Sequence, residues 1–478
     1  MKCWLKENIK NLIIMSIYAI CSFIIIIYHE SWRDEANAWL IARDLNIFEI
    51  VKQLKMEGHF ILWYLILVPF AKLGFPYFTT KFISWAIMMV SAWLILKKSP
   101  FKYITKILII FSAAFLYWYV AVSRVYCIIP LAIILIALTH KKRNEKPLRY
   151  ILSIMLLANT HIIMYGLVGM LFLEFFIETI IKWKKYTKHQ KINIALSFSI
   201  GIIILLISIL PLIGSTSTNE LVERSIDKFS RRIISVKKEI KRTIEAAVEI
   251  YSDNAKLILP LLLVAIIYEC RYYLKNMIMI VISLAFQMVI YNVIHPMSEQ
   301  KILTIVFIVL LFAWRQLEEK EQKLKVDKII SIVMLGILSF NIVAGIRDYI
   351  LELEYDYSGA KKVADFIEEN LEENSIIICD NVPRATAVIP YVNKNIKFWG
   401  LHKENYFTYI EWDETLYREY SYEELLKNIE KLKSNGKVYY LYWNNAQNRI
   451  LIHERGSFKK MFEITDTIIN ETYILYEI

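Results

Sequence analysis

From residue 11 to residue 346 the chain alternates long apolar runs with short basic segments, and no other feature limits its fold so strongly. The first run, 11-NLIIMSIYAICSFIIIIY-28, and later ones such as 77-YFTTKFISWAIMMVSAWLIL-96 approach the roughly 20 apolar residues that a helix needs to cross a bilayer. Of the 478 residues, 56% are hydrophobic, and the mean hydropathy is +0.40. A water-soluble core cannot absorb that much apolar surface, so the class is an all-α polytopic membrane protein. Nothing after the first run resembles a signal-peptidase site, and it reads as a retained helix. Cys3, Cys21, Cys127, Cys270 and Cys379 are scattered, without metal-ligand spacing or a disulfide framework.

Charge sets the orientation. Residues 347–478 hold 16 Lys and Arg against 23 Asp and Glu, a net of −7, so the rest of the chain carries +18 of the total +11. A nucleic-acid binder would concentrate basic charge in its polar part, and this chain does the opposite. Its excess lies in short loops such as 97-KKSPFK-102, 140-HKKRNEKPLR-149 and 182-KWKKYTKHQK-191, which marks them as cytoplasmic. The first helix then runs outward. About 11 transmembrane helices are expected, at 11–28, 77–96, 104–122, 124–139, 150–160, 162–181, 193–213, 255–268, 277–293, 300–314 and 329–346.

That count leaves an outer loop at 29–77 and another at 214–254. It also requires 59-HFILWYLILVPFAKLG-74, short and broken by Pro69 and Lys72, to lie along or dip into the outer leaflet. A crossing there would instead put 97–102 outside. The loop 214–254 contains the basic stretch 224-RSIDKFSRRIISVKKEIKR-242. It meets anionic headgroups or a lipid-linked phosphate if outside, or forms an inner amphipathic helix if the parity shifts by one.

Residues 347–478 read as a small extracytoplasmic α/β domain, after a transmembrane module over 1–346. Helical patterns at 358–374 and 421–436 lead into apolar strands at 375–380 and 437–443, and 472-TYILYEI-478 alternates like a further strand. No glycine-rich loop to cradle phosphate is present.

By this topology the outer face gathers Arg33, Asp34 and Glu35 after the first helix, Glu57 and His59 before the half-buried run, Arg124 and Tyr126 in 122-VSRVYC-127, His161 after Asn159, and His295 in 294-IHPMSEQK-301. Ionisable groups at membrane depth are costly and mark functional sites. A carboxylate there can deprotonate an acceptor hydroxyl, and cations can balance charge developing on a departing phosphate. Asp34 is the expected base. Arg124, His59 and the basic loop are the expected phosphate partners. Each residue also has a plainer role open to it: Asp34 and Glu35 in a helix first turn, Arg124 as a snorkelling anchor, Tyr126 in the aromatic belt, and the histidines at helix ends or turns.

The combination of 32-WRDEANAW-39 after the first helix, 57-EGHFILWYLILVPFAKLG-74, and an R-x-Y before the next inward helix resembles the GT-C glycosyltransferases. It resembles the protein O-mannosyltransferase and aminoarabinose transferase group, glycosyltransferase family 39-like, over roughly residues 10–350. The resemblance implies a GT-C fold with an outer-face cavity, a polyprenyl-phosphate sugar donor and inversion at the anomeric carbon. It implies Asp34 as catalytic base with Glu35 as its companion, and His59 on the lipid phosphate. Many members carry a second acid just after the arginine that Arg124 matches, whereas 124-RVYCIIPLAI-133 has none. A divalent metal bridging two acids is therefore doubtful, and no cofactor is assigned. The family's Pro-Pro is replaced by Phe60-Ile61.

The expected activity is glycosyl transfer in a plasma membrane, from a polyprenyl-phosphate sugar to a surface glycan, lipid or protein. Membrane lipids are the other expected partners. Two other readings stay open: a lipid-linked glycan flippase or transporter, and a membrane-anchored extracytoplasmic binding protein.

Overall fold

The computed structural model describes residues 2–57, 59–212, 274–293, 298–319, 326–412, 416, 420–443 and 458–478. The described residues are mostly helical, with one small C-terminal sheet among them. Among the described residues, six helices are long and apolar enough to cross a membrane: Asn8–Tyr28, Thr79–Lys98, Ile162–Lys185, Lys188–Ile209, Leu274–Tyr291 and Glu299–Glu318. The protein is a multi-pass membrane protein.

Six is fewer than the eleven crossings expected from sequence, and local structure accounts for three of the five that differ. Residues 104–122 do not form one helix. Helix Tyr103–Ile110 stops after eight residues, and a π turn, Ala114–Trp118, follows. The Ser112 hydroxyl donates to the Ile109 carbonyl at 2.7 Å, the kind of side-chain competition that bends helices. The expected crossings at 124–139 and 150–160 are the apolar helices Val125–His140 and Pro147–Ala158. At 1.5 Å per residue they reach only ~24 and ~18 Å, short of a hydrocarbon core of ~30 Å. The crossing at 255–268 and the loop 214–254 lie outside the described residues. The one at 329–346 falls within the 29-residue helix Val326–Glu354.

The chain divides into two compact units. The first comprises residues 1–26, 58–62 and 83–349. Here helix Ile128–His140 packs on Pro147–Ala158 and on Thr304–Glu319, and Leu274–Val293 packs on Tyr165–Lys182. Small residues permit close approach, as they do between membrane helices generally. A Cβ on Gly345 would stand 2.6 Å from the Ala113 Cα. Buried polar side chains meet across helices: Ser208 donates to Asn159 Oδ1 at 2.6 Å, and Gln287 to the Thr304 hydroxyl at 3.0 Å.

The second unit comprises residues 27–57, 63–82 and 350–478. It thus joins the segment after the first membrane helix, α1 (Lys2–Tyr28), to the C-terminal part. Helices α2 (Arg33–Asp44), α3 (Ile47–Glu57) and α4 (Leu62–Lys72) follow. At 11 residues, α4 reaches ~16 Å, about half the hydrocarbon thickness.

The sheet has the order β3-β2-β1-β4-β6-β5. Its strands are β1 (Ile376–Cys379), β2 (Lys397–Gly400), β3 (Asn405–Tyr406), β4 (Val438–Trp443), β5 (Lys459–Ile464) and β6 (Tyr473–Glu477). β1 runs parallel to β2 and β4, and the other pairings are antiparallel. Alternation along each strand sorts side chains to two faces. Ile377, Tyr439, Leu441 and Leu475 pack with Val363, Ala364 and Ile367 of helix Ala360–Asn370. Ile376, Ile378, Tyr440 and Ile474 pack with Leu425, Ile429 and Leu432 of helix Tyr422–Lys433. Leu40 of α2 belongs to the first of these cores.

Candidate functional site

Four predicted residues come together in the first unit. His59 sits in the short segment before α4. Arg124 and Tyr126 lie where the chain emerges from the π turn, Arg124 in extended backbone and Tyr126 in the short 3-10 turn that starts the next helix. His161 occupies the break between helix Pro147–Ala158 and the next. The Arg124 guanidinium stands 3.0 Å from His59 Nε2 and 5.9 Å from the centre of the Tyr126 ring. Tyr126 stacks on the His161 ring at 5.3 Å, and the two histidine rings are 6.2 Å apart.

Hydrogen-bond valence fixes the tautomers. Arginine has no acceptor, so His59 Nε2 accepts from Arg124 and the His59 proton sits on Nδ1. His161 Nδ1 accepts from the Ile163 backbone N–H at 3.2 Å, which places its proton on Nε2. Arg124, His59 Nδ1–H and His161 Nε2–H are therefore all donors, the inventory that anion oxygens require. Tyr119 extends the stack: its ring lies 5.9 Å from that of Tyr126, and its hydroxyl donates to the Gln300 carbonyl at 2.6 Å. That bond ties 298-SEQK-301 to the cluster. His295 lies outside the described residues.

The predicted acids lie in the second unit. Asp34 is half-buried in the first turn of α2, where its Oδ1 accepts from Arg33 Nε at 3.1 Å. Glu35 is only 1% exposed. Its Oε2 accepts the Trp32 backbone N–H at 3.1 Å, half of a helix-start capping box. The same oxygen faces His29 Nε2 at 3.0 Å. Glu57, at the end of α3, holds three donors on Oε1: Asn37 Nδ2 at 3.1 Å, Gln53 Nε2 at 3.0 Å and Trp412 Nε1 at 3.0 Å. Burial pushes its carboxyl up to about 7; the three donors oppose that rise and the nearby charge of Asp34 adds to it.

Sequence reasoning missed a fully enclosed group. His29 lies between two carboxylates, with Nδ1 2.6 Å from Glu352 Oε1 and Nε2 3.0 Å from Glu35 Oε2, all three side chains sealed from solvent. The Lys81 ammonium donates to the His29 carbonyl. Burial alone would lower the imidazole pKa, but the two carboxylates outweigh it and raise it to about 9. A second missed group surrounds Glu471. It accepts from the Arg33 backbone N–H and from Arg384 Nη1, each at 3.1 Å, and from the Ser358 hydroxyl at 2.7 Å. Burial raises its carboxyl despite Arg384. The only hint in sequence was position: His29 and Glu352 each stand at the end of an apolar run, separated by 323 residues. Among the described residues, no group of three or more His, Cys, Asp or Glu side chains is arranged to hold a metal ion.

Compared with protein-family models and with curated proteins, the chain matches none.

Proposed function

We propose that the protein is a membrane glycosyltransferase of the GT-C kind, taking its sugar from a polyprenyl-phosphate donor and passing it to a surface glycan, lipid or protein on the outer face of a plasma membrane. The observation that supports this reading is the Arg124–His59–His161 donor cluster, framed by Tyr126, in a unit built of membrane helices. A lipid-linked phosphate brings its anion to such helices, and fixed donors there stabilise the charge that grows as the sugar leaves. Asp34 is the proposed base, on the sequence resemblance and on its half-buried place in the first turn of α2. It would take the proton of an acceptor hydroxyl as that oxygen bonds to the anomeric carbon. The bond from the anomeric carbon to the phosphate oxygen breaks in the same displacement, with inversion, and polyprenyl phosphate departs with that oxygen and its electron pair.

The test uses the full chain in lipid nanodiscs with labelled polyprenyl-phosphate hexoses and pentoses. Wild type is expected to transfer label, and Arg124→Ala to lose that transfer. A wild type that releases no sugar from any donor would sink the reading. If it instead carried the donors between leaflets of a vesicle, the flippase reading would replace it.

A further inference from the structure

Within the second unit, the turn between β2 and β3 and the residues after it enclose an open cavity of about 190 Å³. Its wall is made by His402, Lys403, Asn405, Tyr406, Tyr409 and Glu411, with Phe407 and Thr408 between them. We propose that this cavity is a saccharide-binding subsite that takes one neutral sugar ring of a glycan.

Four observations point to that ligand. The first is charge. Lys403 Nζ and Glu411 Oε2 pair at 2.7 Å, so among the described lining residues this cation is matched by an anion. The second is the density of polar groups: an ammonium, a carboxylate, an amide, a hydroxyl and an imidazole around a small volume. Vicinal hydroxyls, each donor and acceptor together, match such a mixture of partners.

The third is the aromatic component. Tyr406 is 41% exposed, and its ring is fixed by Trp399, its partner across β2 and β3, with centroids 4.9 Å apart and planes at 84°. Tyr409, half-buried, supplies a second ring, and its hydroxyl lies 3.4 Å from Glu411 Oε1. A rigid ring beside hydrogen-bonding groups suits a sugar, which has an apolar C–H face and a polar rim. The fourth is size. Sites that enclose drug-sized molecules run to about 300–1,000 Å³, and this one is smaller. A peptide added at the sheet edge would need a strand to pair with, and β3 is only two residues long.

The backbone is shaped to hold the site. A Cβ on Gly400 would stand 2.7 Å from His402 Nδ1, so glycine there gives the imidazole its place. Glu404 closes the turn in the left-handed region at φ 46°.

This inference sharpens the proposed function by giving the chain a place for a glycan, but binding and transfer are read separately. The full chain in nanodiscs is titrated with neutral oligosaccharides of glucose, mannose and N-acetylglucosamine, followed by saturation-transfer NMR on the sugar protons. Saturable binding is expected for at least one probe. Tyr406→Ala is expected to weaken it about ten-fold, the equivalent of ~1.4 kcal/mol. Lys403→Ala, at an exposed position, should weaken it also and serves as the variant least able to disturb folding. No saturable binding to any probe overturns the proposal, as does full affinity in both variants. Binding without sugar transfer from polyprenyl-phosphate donors would leave the subsite standing and remove the transferase reading. Transfer without binding would do the reverse.

Discussion

The polar residues of the two units are organised on opposite principles. In the helical unit, Arg124, His59 and His161 present donors, with the Tyr126 ring against Arg124 and His161. In the mixed unit, Glu35, Glu57, Glu352 and Glu471 are buried or half-buried carboxylates, each with named protein partners. A membrane bundle cannot afford an arginine without something polarisable against it, and Tyr126 and the His59 ring serve that need.

The largest expected effect tests whether the two principles belong to one activity. Asp34→Asn keeps the size of the side chain and removes the proposed base. Transfer of labelled sugar should drop by about 10³-fold, within the range of general-base catalysis. An undiminished rate would divorce the acidic segment from the chemistry.

Next in size is His29→Ala, which leaves Glu35 and Glu352 buried without the imidazole between them. Breaking a buried pair by removing one partner costs roughly 3–5 kcal/mol, and thermal unfolding in nanodiscs should show the loss. The pH dependence has a definite sign. The His29 pKa is raised from the ordinary 6.5 to about 9. Its contribution is therefore complete below about pH 6.5 and disappears as pH climbs through about 9. Wild-type stability that stays level over that window would contradict the arrangement.

Smaller again is Arg124→Lys. The charge survives, but the ammonium lacks the planar fork with which a guanidinium can meet His59 and a phosphate in fixed directions. Transfer should fall about ten- to a hundred-fold, with the variant folded normally. A lysine variant as fast as wild type would show that position 124 supplies only charge.

How much of this was legible beforehand depends on distance along the chain. Helices Ala360–Asn370 and Tyr422–Lys433 and strands β1, β4 and β6 lie where the apolar periodicity put them. β2, β3 and β5 did not show. β2 and β3 are four and two residues long, too short for a period to register. β5 carries charged residues and a register shift between Lys460 and Phe462. The break in 104–122 was hidden because a π turn uses the same apolar residues as a helix. Arg124 and Tyr126 could be nominated from their own loop. His29 could not be matched to Glu352, because the pairing exists only once the ends of two distant helices meet in the second unit. The segment after α1 read as an outer loop that carries the acidic pair, yet residues 27–57 and 63–82 form part of the same compact unit as the sheet.

The smallest effect separates a carboxyl that is merely buried from one tuned for proton exchange. Glu57 titrates at about 7 in the folded chain, above its ordinary 4.5, because burial outweighs the donors Gln53, Asn37 and Trp412. A raised carboxyl favours the folded state while it is protonated. That stability is full below about pH 4.5 and is lost as pH rises through about 7. Glu57→Gln should remove the slope, worth about 1 kcal/mol after allowing for the solvent that reaches a half-buried side chain. Trp412→Phe should move the same limb upward, since it deletes a donor that favours the charged form. Unfolding curves from pH 4 to 8 for the three proteins decide the matter. If Trp412→Phe moved the limb downward, the indole would not be acting as a donor to Glu57, and the carboxyl would owe its position to burial alone.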